Sequence, residues 1–593
     1  MRAFKALLLA VSTMATFVAL PATAAAEPIE DAVSTFTYSQ NMHPLGYSAR
    51  LVPLENASPV DGIFNTDLAF WGKTAYQGTY EGFRIIDITE PDNPALINDY
   101  TGCSPGTTLG NQGDVLVWGD IVVRSWNSNT TNAAATCDGE PVALGFEGLH
   151  VFDVSDPLDP DLVASVDLPQ GSHTATGVPD LENDRLLVYN SASSGANPGL
   201  DIVEIPLADP ASASFLRFEP SGDPTVGGGL PNLVTIDPPS AAAGIYGAAG
   251  AAFGPLTTVA GLSGEIVLVN DASALPTEGC NPLVGFPTGA IALVDRGTCS
   301  FVQKVNNAQA AGATAVIVAN NVAGVPSTMG GSDPGITIPA VQVSQADGAT
   351  IKAGLPATGK VSMNELATRA CHDTGVILGD AMKVSCAGGN GFSVWSLDPA
   401  DGGSLTDPAI LYSKPVPGVS IAHSASFTWD GEVLIFGHEP GGGGQAQCQA
   451  TSSVTDRSLF FFDTDTGELL GTMVHPRPQT DLENCTWHNY NVVPSSDRYV
   501  VVAAGYQSGV SVVDFTDPAN AEEVAFADPA PLVDPDPPVG IELGGDWSTY
   551  WYDGRIYESD ITRGLIIWEL SGNTTAGVKK LGHLNPQTQE FTL

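Results

Sequence analysis

The sequence predicts a mainly β chain of seven similar four-stranded units closed into a ring, with one α/β domain set into it. Three observations predict this. One short phrase recurs seven times: a small residue, alternating apolar residues, a polar residue and usually a Pro-containing turn. The 65 Gly and 44 Pro supply the many turns that short strands require. One gap between copies exceeds the others by the size of a domain. At 593 residues the chain is too long for a single ordinary core of about 150 residues.

The copies lie at residues 82–87 (GFRIID), 148–153 (GLHVFD), 199–204 (GLDIVE), 391–396 (GFSVWS), 458–463 (SLFFFD), 509–514 (GVSVVD) and 564–569 (GLIIWE). Each is rich in β-branched and aromatic residues at a spacing of two or nearly continuously, and reads as a strand. Another strand ending at a Gly or Asp turn precedes each copy, and a short apolar segment follows it, giving about four strands per unit. A single unit cannot bury both of its faces, so the units must stack. Closing the stack radially leaves only short, protected edges, which is a β-propeller, here seven-bladed. The copies resemble LVIVD repeats, most closely at 82–91, 148–157 and 509–518 and more loosely in the fourth and fifth copies. The resemblance covers most of 60–220 and 366–585. It implies propeller blades and says almost nothing about function. Blades one to three are assigned to 27–225 and blades four to seven to 366–593. A strand within 35–39 or 589–593 is expected to complete a terminal blade.

Successive copies are roughly 50–65 residues apart, except that about 190 separate the third from the fourth. The excess, 230–364, turns to Ala, Gly and Val with helical periodicity. A buried strand runs to Asp295. Ser300 is the expected N-cap of a helix with Phe301, Val305 and Ala308 on one face, and Gly312 its expected end. Further strands follow at 315–318 and 338–344, then a short helix at 345–351. The runs AIALVDRGTCSF, KVNNAQAAGATAVIVANN and ITIPAVQVS closely resemble the protease-associated (PA) domain. That resemblance implies a non-catalytic lid or interaction module that contacts a protein or peptide. It also places Cys280 and Cys299 where some PA domains carry a disulfide.

Residues 1–26 read as a signal peptide, with Arg2 and Lys5, an apolar run over 6–20, and small residues at 22–26. No later run has the ~18 apolar residues of a membrane span. The net charge of −44 repels nucleic acid and anionic membranes. The eight cysteines fall into sequence neighbours, Cys103 with Cys137, Cys280 with Cys299, Cys371 with Cys386 and Cys448 with Cys485. Their even number in an exported chain argues for disulfides, and proximity alone suggests the pairs. The expected location is secreted, periplasmic or cell-envelope.

No HExxH occurs; Gly102-Cys103-Ser104-Pro105-Gly106 has the Gly-x-Ser-x-Gly spacing but is not read as a nucleophile elbow, and Gly331 to Gly335 is a turn. Four of the nine histidines stand at the start of a first strand: His173, His372, His423 and His488. Seven positions separate His423, His488 and Asp546 from the turn residues Asp430, Ser495 and Asp553, so Asp546 takes the equivalent place in the last repeat. Asp67 and Asp114 are nearby candidates in the first two. Equivalent positions on innermost strands face one channel, and converging imidazoles with carboxylates suit Cu, Zn or Fe. The plainer reading is a set of repeat residues, each hydrogen-bonded to the next blade. His438-Glu439 and the Gly run 441–444 read as a loop near a blade end, Trp487 and Trp547 as packing between blades, 463–467 as a turn and 534–538 as a rigid loop. The sequence reading is an exported binding scaffold. Beside it stand a metal-dependent redox or hydrolytic enzyme, its His-lined site at the channel mouth and the PA domain as lid, and an envelope adhesion protein.

Overall fold

The computed structural model describes residues 28–51, 64–106, 111–191, 199–220, 226–255, 257–258, 260–331, 333, 335–364, 371–532 and 541–593. The signal-peptide reading and the loop at 534–538 lie outside the described residues, as do Ser332 and Pro334 of the Gly331 turn.

The chain is mainly β. Outside the insertion the described residues form seven sheets of four or five strands, antiparallel except where Thr588–Gln589 joins the fourth, and a small three-stranded sheet of Cys103–Ser104, Thr136–Cys137 and Glu140–Pro141; each recurring phrase is the third of its sheet's four successive strands. The first strands, in chain order, are Asn65–Trp71, Val115–Trp118, Ala175–Asp180, Asp373–Ile377, Ala422–Phe427, Tyr490–Val492 and Asp546–Tyr552. Each packs beside the first strand of the next sheet, and the last packs beside the first. Seven apolar clusters fill the spaces between consecutive sheets. Phe83 and Ile85 of the first sheet meet Val117 and Phe152 of the second. Leu68 and Ile86 meet Tyr557 and Leu565 of the seventh. The phrase is therefore apolar on both faces because each sheet is covered on both sides.

The last sheet borrows its fourth strand from the other end of the chain: Met42–Ala49 pairs antiparallel with Gly564–Leu570. This corrects the expectation that 35–39 or 589–593 completes a blade. Thr37–Tyr38 instead adds a fifth strand to the sixth sheet, and Thr588–Gln589 lies parallel to Asp373–Ile377. Pro44 is tolerated because Met42–Ala49 is an outer strand with a register break between Pro44 and Gly46.

Residues 232–363 form a closed seven-stranded barrel between the third and fourth sheets. Ser300 caps the helix Phe301–Ala310, its hydroxyl accepting from the Gln303 backbone N–H at 3.2 Å. Ser344 caps Gln345–Ala353 in the same way. The neighbour pairs of cysteines are all joined, which fits a chain folded in an oxidising compartment. No helix among the described residues is long and apolar enough to cross a membrane.

Candidate functional site

Four successive sheets bring four imidazoles into one chain of contacts. Ring centroids are 4.2 Å apart for His173 and His372, 4.3 Å for His372 and His423, and 4.1 Å for His423 and His488. They line a cavity of about 380 Å³ at the starting end of the first strands. Backbone pairing sets the level of each ring. His173 N–H donates to Ser191 O at 2.8 Å and His372 N–H to Ala387 O at 2.6 Å. The Thr174 hydroxyl donates to His372 O at 2.9 Å and ties the third sheet to the fourth. The Cys371–Cys386 disulfide anchors the residue before His372.

Two overlapping groups result. One ligand atom from each of His173, His372 and His423 lies within 4.8 Å of the others, and the same holds for His423, Glu439 and His488. Asp546 belongs to neither group. Its carboxylate accepts from the Thr549 hydroxyl and faces Glu558 and Asp560. A register break between Asp546 and Ser548 turns this strand, and Trp547 lines the cavity instead. Trp547 is therefore more than inter-sheet packing. Trp487 matches its expected packing role, with its indole N–H on Arg457 O at 2.8 Å.

Glu439, read from sequence as part of a loop, is a buried member of the site. The hairpin register pairs Ala422 with His438 and sets Glu439 opposite Ile421, with its N–H on Ile421 O at 2.9 Å, and its carboxylate comes within 4.8 Å of ligand atoms of His423 and His488. The Gly run behind it was the signal available in the sequence. A Cβ on Gly443, whose φ is +69°, would come within 2.6 Å of the Glu439 carboxylate and 2.4 Å of the Tyr506 hydroxyl. The Cys448–Cys485 disulfide staples this loop to the segment leading into His488.

Hydrogen bonding fixes which nitrogen each ring presents. His488 Nδ1 lies 2.5 Å from Trp547 O, a pure acceptor, so Nδ1 carries the proton and Nε2 keeps its lone pair. Nε2 sits 3.9 Å from Glu439 Oε1. His423 Nδ1 is 2.7 Å from Ser424 Oγ. The Ser424 hydroxyl has only acceptors as its other partners, namely Asp373 Oδ2, His488 O and Asn489 Oδ1. It therefore accepts from His423 Nδ1–H and leaves Nε2 free. His372 Nδ1 is buried with no hydrogen-bond partner among the described residues. His423 and His488, unlike His372, thus show the Nδ1–H outer partner typical of metal-binding histidines.

Burial holds all four imidazoles neutral: His173 is pushed down to about 4 and His488 to about 3, and His372 and His423 fall well below the ordinary value, neighbouring rings adding to burial. Burial also lifts Glu439 to about 7, against the hydrogen bond from Tyr506 Oη to Oε1 at 2.7 Å. Tyr506 holds a left-handed φ of +53°, rare for a bulky residue, pinned by two backbone bonds to Asp546 that set its ring 4.4 Å from His488. Asp67 and Asp114 lie apart, deep and close together, with burial and each other's charge raising Asp114.

The insertion has its own match. Residues 262–351 are a PA domain. Among similar proteins, "Signal peptide peptidase-like 2" of Arabidopsis thaliana is 38% identical over 92 residues, 15% of this chain and 17% of that protein. "Leucine aminopeptidase 2" of Arthroderma otae is 32% identical over 181 residues, 28% of this chain and 34% of that protein. The solved aminopeptidase from Aneurinibacillus sp. strain AM-1 is 28% identical, covers 23% of this chain and 31% of its own, and has a TM-score of 0.17. The chain spans about a third or less of the curated relatives it matches.

Proposed function

We propose that the seven sheets are blades of a secreted β-propeller built from LVIVD-type repeats. In this reading its centre holds a transition-metal ion through His173, His372, His423 and His488, with Glu439 as a fifth donor. One observation carries the reading: two donor groups, sharing His423, converge within 4.8 Å on one cavity. The plainer role, repeat histidines each bonded to the next blade, fits less well, because among the described residues His372 Nδ1 is left without a partner at the cost of a buried polar atom. The donors fit Cu, Zn or Fe, for which neutral imidazole is a good ligand. Bound metal would supply Lewis-acid or redox chemistry. The chain itself orients the donor nitrogens through Trp547 O and Ser424, keeps the rings neutral, and sets the Tyr506 hydroxyl against Glu439. Asp546 contributes by holding the Tyr506 backbone.

The PA domain, a protein- or peptide-binding module in proteases, is assigned partner contact. It lies between the third and fourth sheets, and its return segment leads into His372, the end of the ring that carries the cavity. Relatives named as aminopeptidases support a protease-related setting, and the PA match supports binding rather than cleavage.

Elemental analysis of the purified mature protein tests the metal reading, beside His372→Ala/His423→Ala. About one equivalent of Cu, Zn or Fe, lost in the variant, is expected. No metal in either folded protein, including after loading, would leave the propeller as a binding scaffold.

A further inference from the structure

The imidazoles occupy one arc of the cavity, and the opposite arc is built differently. Phe64 and Tyr80 come from the ends of the first hairpin, and Leu543, Trp547 and Ile561 from around the seventh sheet's first hairpin. They form one apolar cluster with Tyr506. Phe64 and Tyr80 meet edge to face at 5.3 Å, and Trp547 stands perpendicular to Tyr506 at 6.3 Å. Leu543 and Trp547 remain part-exposed against this cavity rather than sealed in a core. A site that only stores an ion has no use for such a wall. Apolar area facing water is unfavourable, and a wall opposite a few convergent donors is the usual form of a small-molecule site.

We propose that this cavity takes a small molecule with one aromatic ring and one nitrogen, sulfur or oxygen donor. The ring lies against Phe64, Tyr80, Leu543 and Trp547, and the donor points at the imidazoles. This rests on the metal reading of the same site and adds the class of molecule. The size agrees: about 380 Å³ is at the small end of ligand pockets. The charge is also selective. Among the described residues that line the cavity there is no Lys or Arg, and Glu439 is the one carboxylate. A net charge of −44 further repels anions. Without metal the lining therefore favours a neutral or cationic molecule over a carboxylate or phosphate; a bound divalent cation relaxes that preference.

Calorimetric titration of the full mature protein, metal-free and Cu(II)-loaded, with imidazole, 4-phenylimidazole and benzoate tests this. The expected result is at least about tenfold tighter binding of 4-phenylimidazole than of imidazole in both forms, from burial of the added ring, with no binding of benzoate to the metal-free form. Leu543→Ala and Trp547→Ala are each expected to cut that preference at least about threefold while sparing imidazole. If a variant fails to fold, the wild-type ratio decides alone. Equal affinities for the two imidazoles in metal-loaded protein would overturn the inference and leave the metal reading standing. A protein that retains no metal yet still prefers 4-phenylimidazole would overturn the metal reading and keep the aromatic wall. Tight benzoate binding to the metal-free protein would overturn the charge argument.

Discussion

The first strands begin among His173, His372, His423 and His488 and finish against the segment 583–593, and the two ends use polar groups differently. At the beginning, His372 Nδ1, Asp546 Oδ1 and Ser548 Oγ are buried and unpartnered among the described residues. At the finish, the Asn585 amide pairs with both the N–H and the carbonyl of Val117, each at 2.7 Å. The Thr588 hydroxyl donates to Gly177 O at 3.0 Å, and the Gln589 amide donates to Phe427 O at 2.8 Å. The same segment pairs with Phe70 and Trp71 and with Val376 and Ile377, so it straps five sheets together. Gln587 and Gln589 Oε1 of the same segment are buried without partners among the described residues, so the closure rests on Asn585, Thr588 and the Gln589 N–H. A buried polar group short of a partner marks a place for a further ligand where it also lines a cavity, as His372 does.

The largest way to break this comparison is to delete 583–593. Losing the strap's hydrogen bonds and the buried Leu584 is expected to cost about 5 kcal/mol or more, read by urea unfolding. An unchanged midpoint would make the strap ornamental. Asn585→Ala leaves Val117 N–H and O unpaired and is expected to cost about 2–4 kcal/mol. A loss below about 0.5 kcal/mol would mean that water replaces the amide. At the other end the sign reverses. His372→Leu removes an unsatisfied buried nitrogen, so metal-free stability is expected to hold or rise by about 1 kcal/mol while metal content falls. A loss beyond about 2 kcal/mol would make His372 a structural residue.

The smallest effect is the pH dependence set by groups away from both ends. Burial pushes His150 and His475 down to about 3 from 6.5. The unfolded chain therefore binds protons that the fold refuses, and stability is lost as pH falls from 6.5 toward 3. Burial raises Asp201 to about 7 from 3.8 and Glu558 to about 8 from 4.5. Their contribution is full near pH 4 and is lost as pH rises through 7 to 8. The two trends oppose between, so thermal midpoints of metal-free protein are expected to be highest at about pH 4–6.5. A maximum above pH 8 would contradict these shifts.

Much of this was legible in the sequence for a physical reason. Strands covered on both sides must repeat an apolar phrase, and a histidine at a fixed offset from the turn must arrive at the same height in each sheet. What could not be read depends on register. Glu439 reaches the imidazoles because the register that pairs Ala422 with His438 sets it opposite Ile421, at the cavity. Trp547 replaces Asp546 because of a bulge, and comparable breaks stand between Asn65 and Leu68 and between Ala422 and Ala425. Each shifts which side chain points inward, and none has a composition signature. The closing strand was missed because Pro44 and Gly46 obscure its alternation.

The pairing of Met42 with Leu570 also has a consequence in time. A ribosome adding about 5–20 residues per second needs roughly half a minute to two minutes to travel between those partners. Throughout that interval the earliest strand is a ribbon without a mate, its backbone donors and acceptors free to template association with a neighbouring nascent chain. The ring therefore cannot mature piecemeal from its beginning, and its yield in a cell depends on whatever shields that ribbon until the last sheet emerges.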